Sequence, residues 1–170
     1  CLFDTELHHS RITVAADQSS ITSGNGPVSI LSHVATAEGR LMWALKLVSN
    51  QTCCMVGAVK DEFAGLGGTL QPLGRCIDTA GYGGQHTMLR KNDVISVLAD
   101  LEDETLRIWV NGKPVLKVFI DGCVRLGLTT WNGSVFEIVD DIDVEDLLQA
   151  ETTSESDPMQ AIVDPESDYS

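Results

Sequence analysis

One stretch limits the possible folds more than any other: Asp93 to Phe119, DVISVLADLEDETLRIWVNGKPVLKVF. From Val94 to Ala99, Ile95, Val97 and Ala99 share one face, and Val94, Ser96 and Leu98 share the other. Asp100 to Thr105 is acidic and turn-like. From Leu106 to Val110 the alternation returns, with Leu106, Ile108 and Val110 opposite Arg107 and Trp109. Side chains alternate across a strand with period two, so both runs read as half-buried strands. Asn111-Gly112 then supplies two residues that tolerate positive φ, which a tight hairpin needs if its twist is to match its strands. Val115 to Ile120 is the return strand. The stretch is predicted to form a three-stranded antiparallel meander.

The rest of the chain repeats this grammar. Arg40 to Val48 places Leu41, Trp43, Leu45 and Leu47 on one face. Thr52 to Val59 is nearly all apolar and reads as a strand buried on both faces. Shorter strands are expected at Arg11 to Ala16, around Ile21, and at Val28 to Val34. Val124 to Thr130 and Val135 to Val139 flank Asn132-Gly133, a second hairpin signal. Lys60 to Gly84 holds seven glycines, a density that opposes regular elements, and reads as long loops with a short strand near Gln71 to Ile77. Nine or ten short strands in 170 residues predict an all-β fold, a two-sheet antiparallel β-sandwich.

Charge divides the chain. Every Lys and Arg lies at or before Arg125, where bases and acids nearly balance, whereas twelve of the 25 acids lie from Glu137 onward. Residues 1–140 are therefore expected to form the folded domain and 141–170 an acidic tail. Within the tail, 143–149 can form a short helix with Asp143 as N-cap, and the remainder is expected to be disordered. No basic stripe suits a phosphate backbone, so nucleic acid is not an expected partner. No apolar run is long enough for a membrane span and none has signal-peptide layout. The start at Cys1 suggests a piece of a larger protein. Five cysteines without CxxC spacing read as reduced thiols, which favours a cytoplasmic or nuclear setting.

Four stretches, in order, resemble a SPRY domain: FD…RITVAADQSSIT, GRLMWALKLVSNQTCCMVGAVKD, NDVISVLADLEDETLRIWVNGKPV and VRLGLTTWNGSVFEIV. The resemblance spans roughly residues 3 to 140. Ile108-Trp109 stands where the family commonly has two Phe or Tyr, and Val124-Arg125 replaces its usual Pro. The segment from Val59 to Asn92 matches poorly. The resemblance implies a bent, concanavalin-like jelly-roll sandwich that binds a protein or peptide through its loops without catalysis. It also implies a monomeric domain within a larger chain, such as a ubiquitin ligase or an adaptor.

Candidate partner-binding residues are Asp61, Phe63, Tyr82, His86 and Trp131. Trp43 reads as core. Trp109 is either core on the far side of its sheet or partly exposed. Trp131, beside a turn, is either a rim anchor or a cap on the core. No His pair has metal-ligand spacing, GYGG lacks the spacing and Lys of a phosphate loop, and Glu102 to Glu104 is too compact for a calcium loop. No cofactor or catalytic residue is expected. The alternative is a carbohydrate-binding or carbohydrate-active sandwich of the lectin-glucanase type. It requires an aromatic platform or paired carboxylates on an open sheet face, and aromatics are 5% of the chain.

Overall fold

A computed structural model of the chain describes residues 3–8, 12–24, 28–50, 53–60, 76–78, 85–131 and 133–153. Among the described residues thirteen strands and one helix follow in order: β1 (Phe3–His8), β2 (Ile12–Val14), β3 (Ser20–Ser23), β4 (Val28–Ser32), β5 (Arg40–Leu47), β6 (Cys54–Lys60), β7 (Cys76–Asp78), β8 (Gln85–His86), β9 (Val94–Asp100), β10 (Thr105–Val110), β11 (Lys113–Phe119), β12 (Val124–Thr130), β13 (Val135–Ile138) and α1 (Val144–Thr153). They form two sheets. The first has the order β1-β4-β12-β6-β7-β8 and the second β11-β10-β9-β5-β13-β3-β2. Pairing is antiparallel except between β7 and β8.

The meander forms as predicted. β9, β10 and β11 are neighbours, Asn111 and Gly112 take φ of 52° and 81°, and the turn is the tight hairpin that the dipeptide signals. A register shift between Ile108 and Trp109 keeps Ile108 opposite Leu116 and Trp109 opposite Pro114. One alternating face of each strand faces the facing sheet. Leu41, Trp43, Leu45 and Leu47 meet Ile95, Val97, Leu106, Ile108 and Phe136 from their own sheet and Val56, Leu126 and Leu128 from the other. Trp43 lies edge-on to Phe3, ring centroids 5.1 Å apart at 61°, a pairing that adds about 1 kcal/mol beyond its buried area.

Two expectations are corrected. The turn around Gly133 (φ 78°) does not close a hairpin: β12 pairs with β4 and β6 in the first sheet, β13 with β3 and β5 in the second. A turn dipeptide fixes local chain reversal, but the partner of each strand is set by burial. The strand count among the described residues is also higher than nine or ten, because β1 and β8 form where no strand is expected.

The helix α1 explains Trp109. Leu98 and Trp109 point away from the main core, on the outer face of the second sheet. There Leu147 closes over them, with Met42, Ile142, Val144 and Leu148 around. Trp109 is wholly buried. Asp143 starts the helix: its carboxylate accepts the N–H of Glu145 at 2.9 Å and its carbonyl the N–H of Leu147 at 3.3 Å. Arg40 joins sheet to helix, donating to Asp100 at 3.1 Å and Glu145 at 2.6 Å. Glu145 and Asp100 raise the Arg40 pKa above its ordinary range.

Candidate binding surface at one end of the sandwich

Both broad faces of the sandwich are closed at their centres. On the second sheet α1 covers Leu98 and Trp109. On the first, alternation turns Ser29, Leu31, Met55 and Thr129 outward, yet all four are buried. Ser29 and Thr129 share a hydrogen bond of 2.8 Å between their hydroxyls. An open aromatic platform, the requirement of the lectin-like alternative, is therefore missing among the described residues. The large apolar side chains exposed there are Val34, Met88 and Phe119.

The ends remain. β12 runs toward one end, where Thr130 pairs with Cys54 and Val28. The β5–β6, β8–β9 and β12–β13 connections and the β10–β11 hairpin all reach this end. The segment from Thr87 to Asp93 leaves β8 in the first sheet and enters β9 in the second. Leu89 anchors it, 1% exposed within the core, while Met88 is 59% exposed and Arg90 and Lys91 are exposed. The Asp93 carboxylate locks the return. It accepts the Arg90 backbone N–H at 2.8 Å and the Asn111 amide at 2.9 Å, while the Asn111 carbonyl accepts the Val94 N–H at 2.9 Å. Asn92 also donates its N–H to the Leu47 carbonyl at 2.7 Å. Exposed side chains thus stand on backbone fixed from two sides.

Trp131 occupies the crossing from β12 to β13, half-buried. Its carbonyl accepts the Ser134 hydroxyl. Ser134 and Ser23 exchange backbone and hydroxyl bonds of 2.9 Å, and the Val135 N–H donates to the Ser49 hydroxyl at 3.0 Å. Between the Trp131 corner and the Arg90 segment lies the β5–β6 connection, with Asn50 and Cys53 exposed.

The two ends differ in charge. The loops of the Trp131 end carry Arg90 and Lys91, with Lys113 beside the hairpin, and the carboxylate of Asp93 is already engaged by two donors. The sequence of these connections contains no further acid, although β7 brings Asp78, opposite Met55, to the same end. The opposite end carries Glu38, Glu102, Asp103, Glu104 and Asp121. Its bases are held: Lys60 by Asp121 at 3.5 Å, Arg107 by Asp103 at 3.1 Å, and Arg125 by the carbonyls of Ser32 and His33. Asp17 also lies away from the Trp131 end, its pKa lowered by the hydroxyl and backbone N–H of Ser19.

Of the five candidate residues, Trp131 is described in full and sits at the rim. The backbone of His86 closes β8 at the same end, next to Asp78 of β7. Asp61, Phe63 and Tyr82 lie outside the described residues. Met88, Arg90 and Lys91 are additions to these five. The available signal was the Met88-Leu89 pair set between polar residues, of which only one can turn inward if the segment is extended. Among the described residues no cluster of His, Cys, Asp or Glu could hold a metal ion, and no helix is long and apolar enough to cross a membrane.

No protein-family model matches the chain, and no curated protein matches its sequence. Solved structures do match. The SPRY domain of human HERC1 is 18% identical, aligned over 83% of this chain and 99% of that one, with a TM-score of 0.58. The PSpry domain of TRIM65 is 11% identical, aligned over 82% and 89%, with a TM-score of 0.57. At such identities the likeness speaks for architecture. Joined to the two-sheet order and the Asn111-Gly112 meander, it shows that this chain has the SPRY fold.

Proposed function

We propose that the chain is a non-enzymatic protein-interaction module that takes a peptide or folded partner at the Trp131 end of the sandwich. The observation that carries this reading is the closure of both sheet faces at their centres, set against exposed Met88, Arg90 and Lys91 and half-buried Trp131 at one end. A rigid frame holding variable loops suits recognition, because the ordering cost of the loops is met during folding rather than binding. The SPRY fold favours the same reading, and the family resemblance suggests the recognition arm of a larger protein, such as a ubiquitin ligase or an adaptor, in the cytoplasm or nucleus.

The test compares proteins captured by the chain and by its Met88→Asp and Trp131→Ala variants, with melting temperatures measured in parallel. Specific partners should be lost from both variants while Met88→Asp melts within about 2 °C of the parent, as expected for an exposed site. Capture unchanged by both substitutions would move the binding surface elsewhere.

A further inference from the structure

The character of the Trp131 end points to the chemistry of what it binds. We propose that its partner is an acidic protein segment: a peptide or loop with two or more carboxylates flanking an apolar side chain. The carboxylates face Arg90, Lys91 and Lys113, and the apolar residue meets Met88. This deepens the function proposed above and rests on it.

Four observations carry the proposal. Arg90 and Lys91 are adjacent, exposed, and held on a segment pinned by Leu89 on one side and by Asp93 on the other. Lys113 joins them from across the hairpin, whose Asn111 is bonded to Asp93. The one acid of these connections, Asp93, is fixed within the frame by two neutral donors and keeps its charge, so it offsets one of the three cations and leaves a local excess of two. The 59% exposed Met88 next to them is unbranched and polarizable, a side chain that adapts to varied apolar groups.

The net charge of -14 would at first oppose an acidic partner. Distance decides otherwise. The far-end acids stand a strand length away; seven residues of β9 span about 23 Å. Screening in physiological salt has a length of about 8 Å, so the local cations dominate what an arriving segment senses. The clustered acids of the far end disfavour an acidic segment there, so the charge difference between the two ends favours approach to the Trp131 end. Three cations are too few to follow a nucleic-acid backbone with useful affinity, which leaves a protein segment as the matching polyanion.

The experiment is selection of a random 12-residue peptide display library on the full chain, followed by titration of synthetic binders by fluorescence anisotropy. The expected result is enrichment of Asp and Glu around one apolar residue. Affinity should fall at least tenfold in the Arg90→Glu/Lys91→Glu double variant and several-fold when salt rises from 50 to 500 mM. An Arg90→Lys variant should retain most binding. Acidic peptides captured only after residues 154–170 are removed would identify the acidic tail as a competing occupant and still support acidic recognition. Selected peptides that depend on Met88 and Trp131 but lack acids would overturn the inference while leaving the binding surface in place. Binders indifferent to Met88, Trp131, Arg90 and Lys91 would overturn the surface itself. A selection with no acidic enrichment, including one that yields no peptide, also overturns the inference.

Discussion

Asn111 reaches back across the mouth of its hairpin to Asp93: its amide nitrogen lies 2.9 Å from one carboxylate oxygen, and its carbonyl accepts the Val94 N–H at 2.9 Å. The residue that permits the turn is also the clasp that holds the start of β9. Asn111→Gly keeps the positive φ and removes the clasp, whereas Asn111→Ala removes both. Urea unfolding should show Asn111→Gly less stable by about 1 kcal/mol and Asn111→Ala by about 1–2 kcal/mol more. Equal stability of Asn111→Gly and the parent would show that the clasp contributes nothing.

Removing the apolar anchor of α1 should free the helix without unfolding the sandwich. Leu147→Asp places a charge where Leu147 is 9% exposed against Leu98 and Trp109. A loss of about 2–4 kcal/mol is expected. Hydrogen exchange should accelerate in α1 while the core pairing of β5 with β9 stays protected. Uniform acceleration through both sheets would mean that the helix is part of one cooperative unit.

Asp100 should matter more than the arginine it binds. Arg40 is 42% exposed in its side chain, and such pairs are worth about 0–1 kcal/mol. Asp100 accepts Arg40 but also the N–H groups of Glu102 and Asp103, at 3.2 and 3.1 Å, and so shapes the β9–β10 turn. Thermal unfolding is expected to rank Asp100→Ala well below Arg40→Ala. The reverse order would place the stabilisation in the ion pair.

Asp17 should titrate below the ordinary aspartate range, because Ser19 donates to it by hydroxyl at 2.7 Å and by backbone at 3.1 Å. A depressed folded-state pKa means that its stabilising effect is present above the unfolded value and fades as pH falls through the folded one. Carboxyl NMR titration should find the midpoint raised in Ser19→Ala, with no change in the parent's other carboxylates. An unmoved midpoint would remove the Ser19 hydroxyl as the main cause.

Local signals carried much of the architecture. Alternation around Trp43 and the Asn111-Gly112 dipeptide located β5, β9, β10 and β11, because strand periodicity and turn chemistry act over a few residues. Trp109 was ambiguous for a physical reason. Its period placed it on the outer face, but what covers that face comes from Leu147, 38 positions later. The Gly133 turn misled on pairing because sheet membership is decided by contacts between distant strands. The candidate site was partly visible through Trp131 at its turn. Met88, Arg90 and Lys91 were not, since only the sheet crossing from β8 to β9 brings them to the same end.

The three tryptophans occupy three unlike settings: Trp43 deep between the sheets, Trp109 sealed beneath α1 with its indole N–H unpartnered among the described residues, and Trp131 at the rim. The chain consequently carries its own optical gauges. With two of them replaced by phenylalanine in turn, emission colour would report separately on loss of the whole fold, departure of the helix, and arrival of a ligand, with no dye attached.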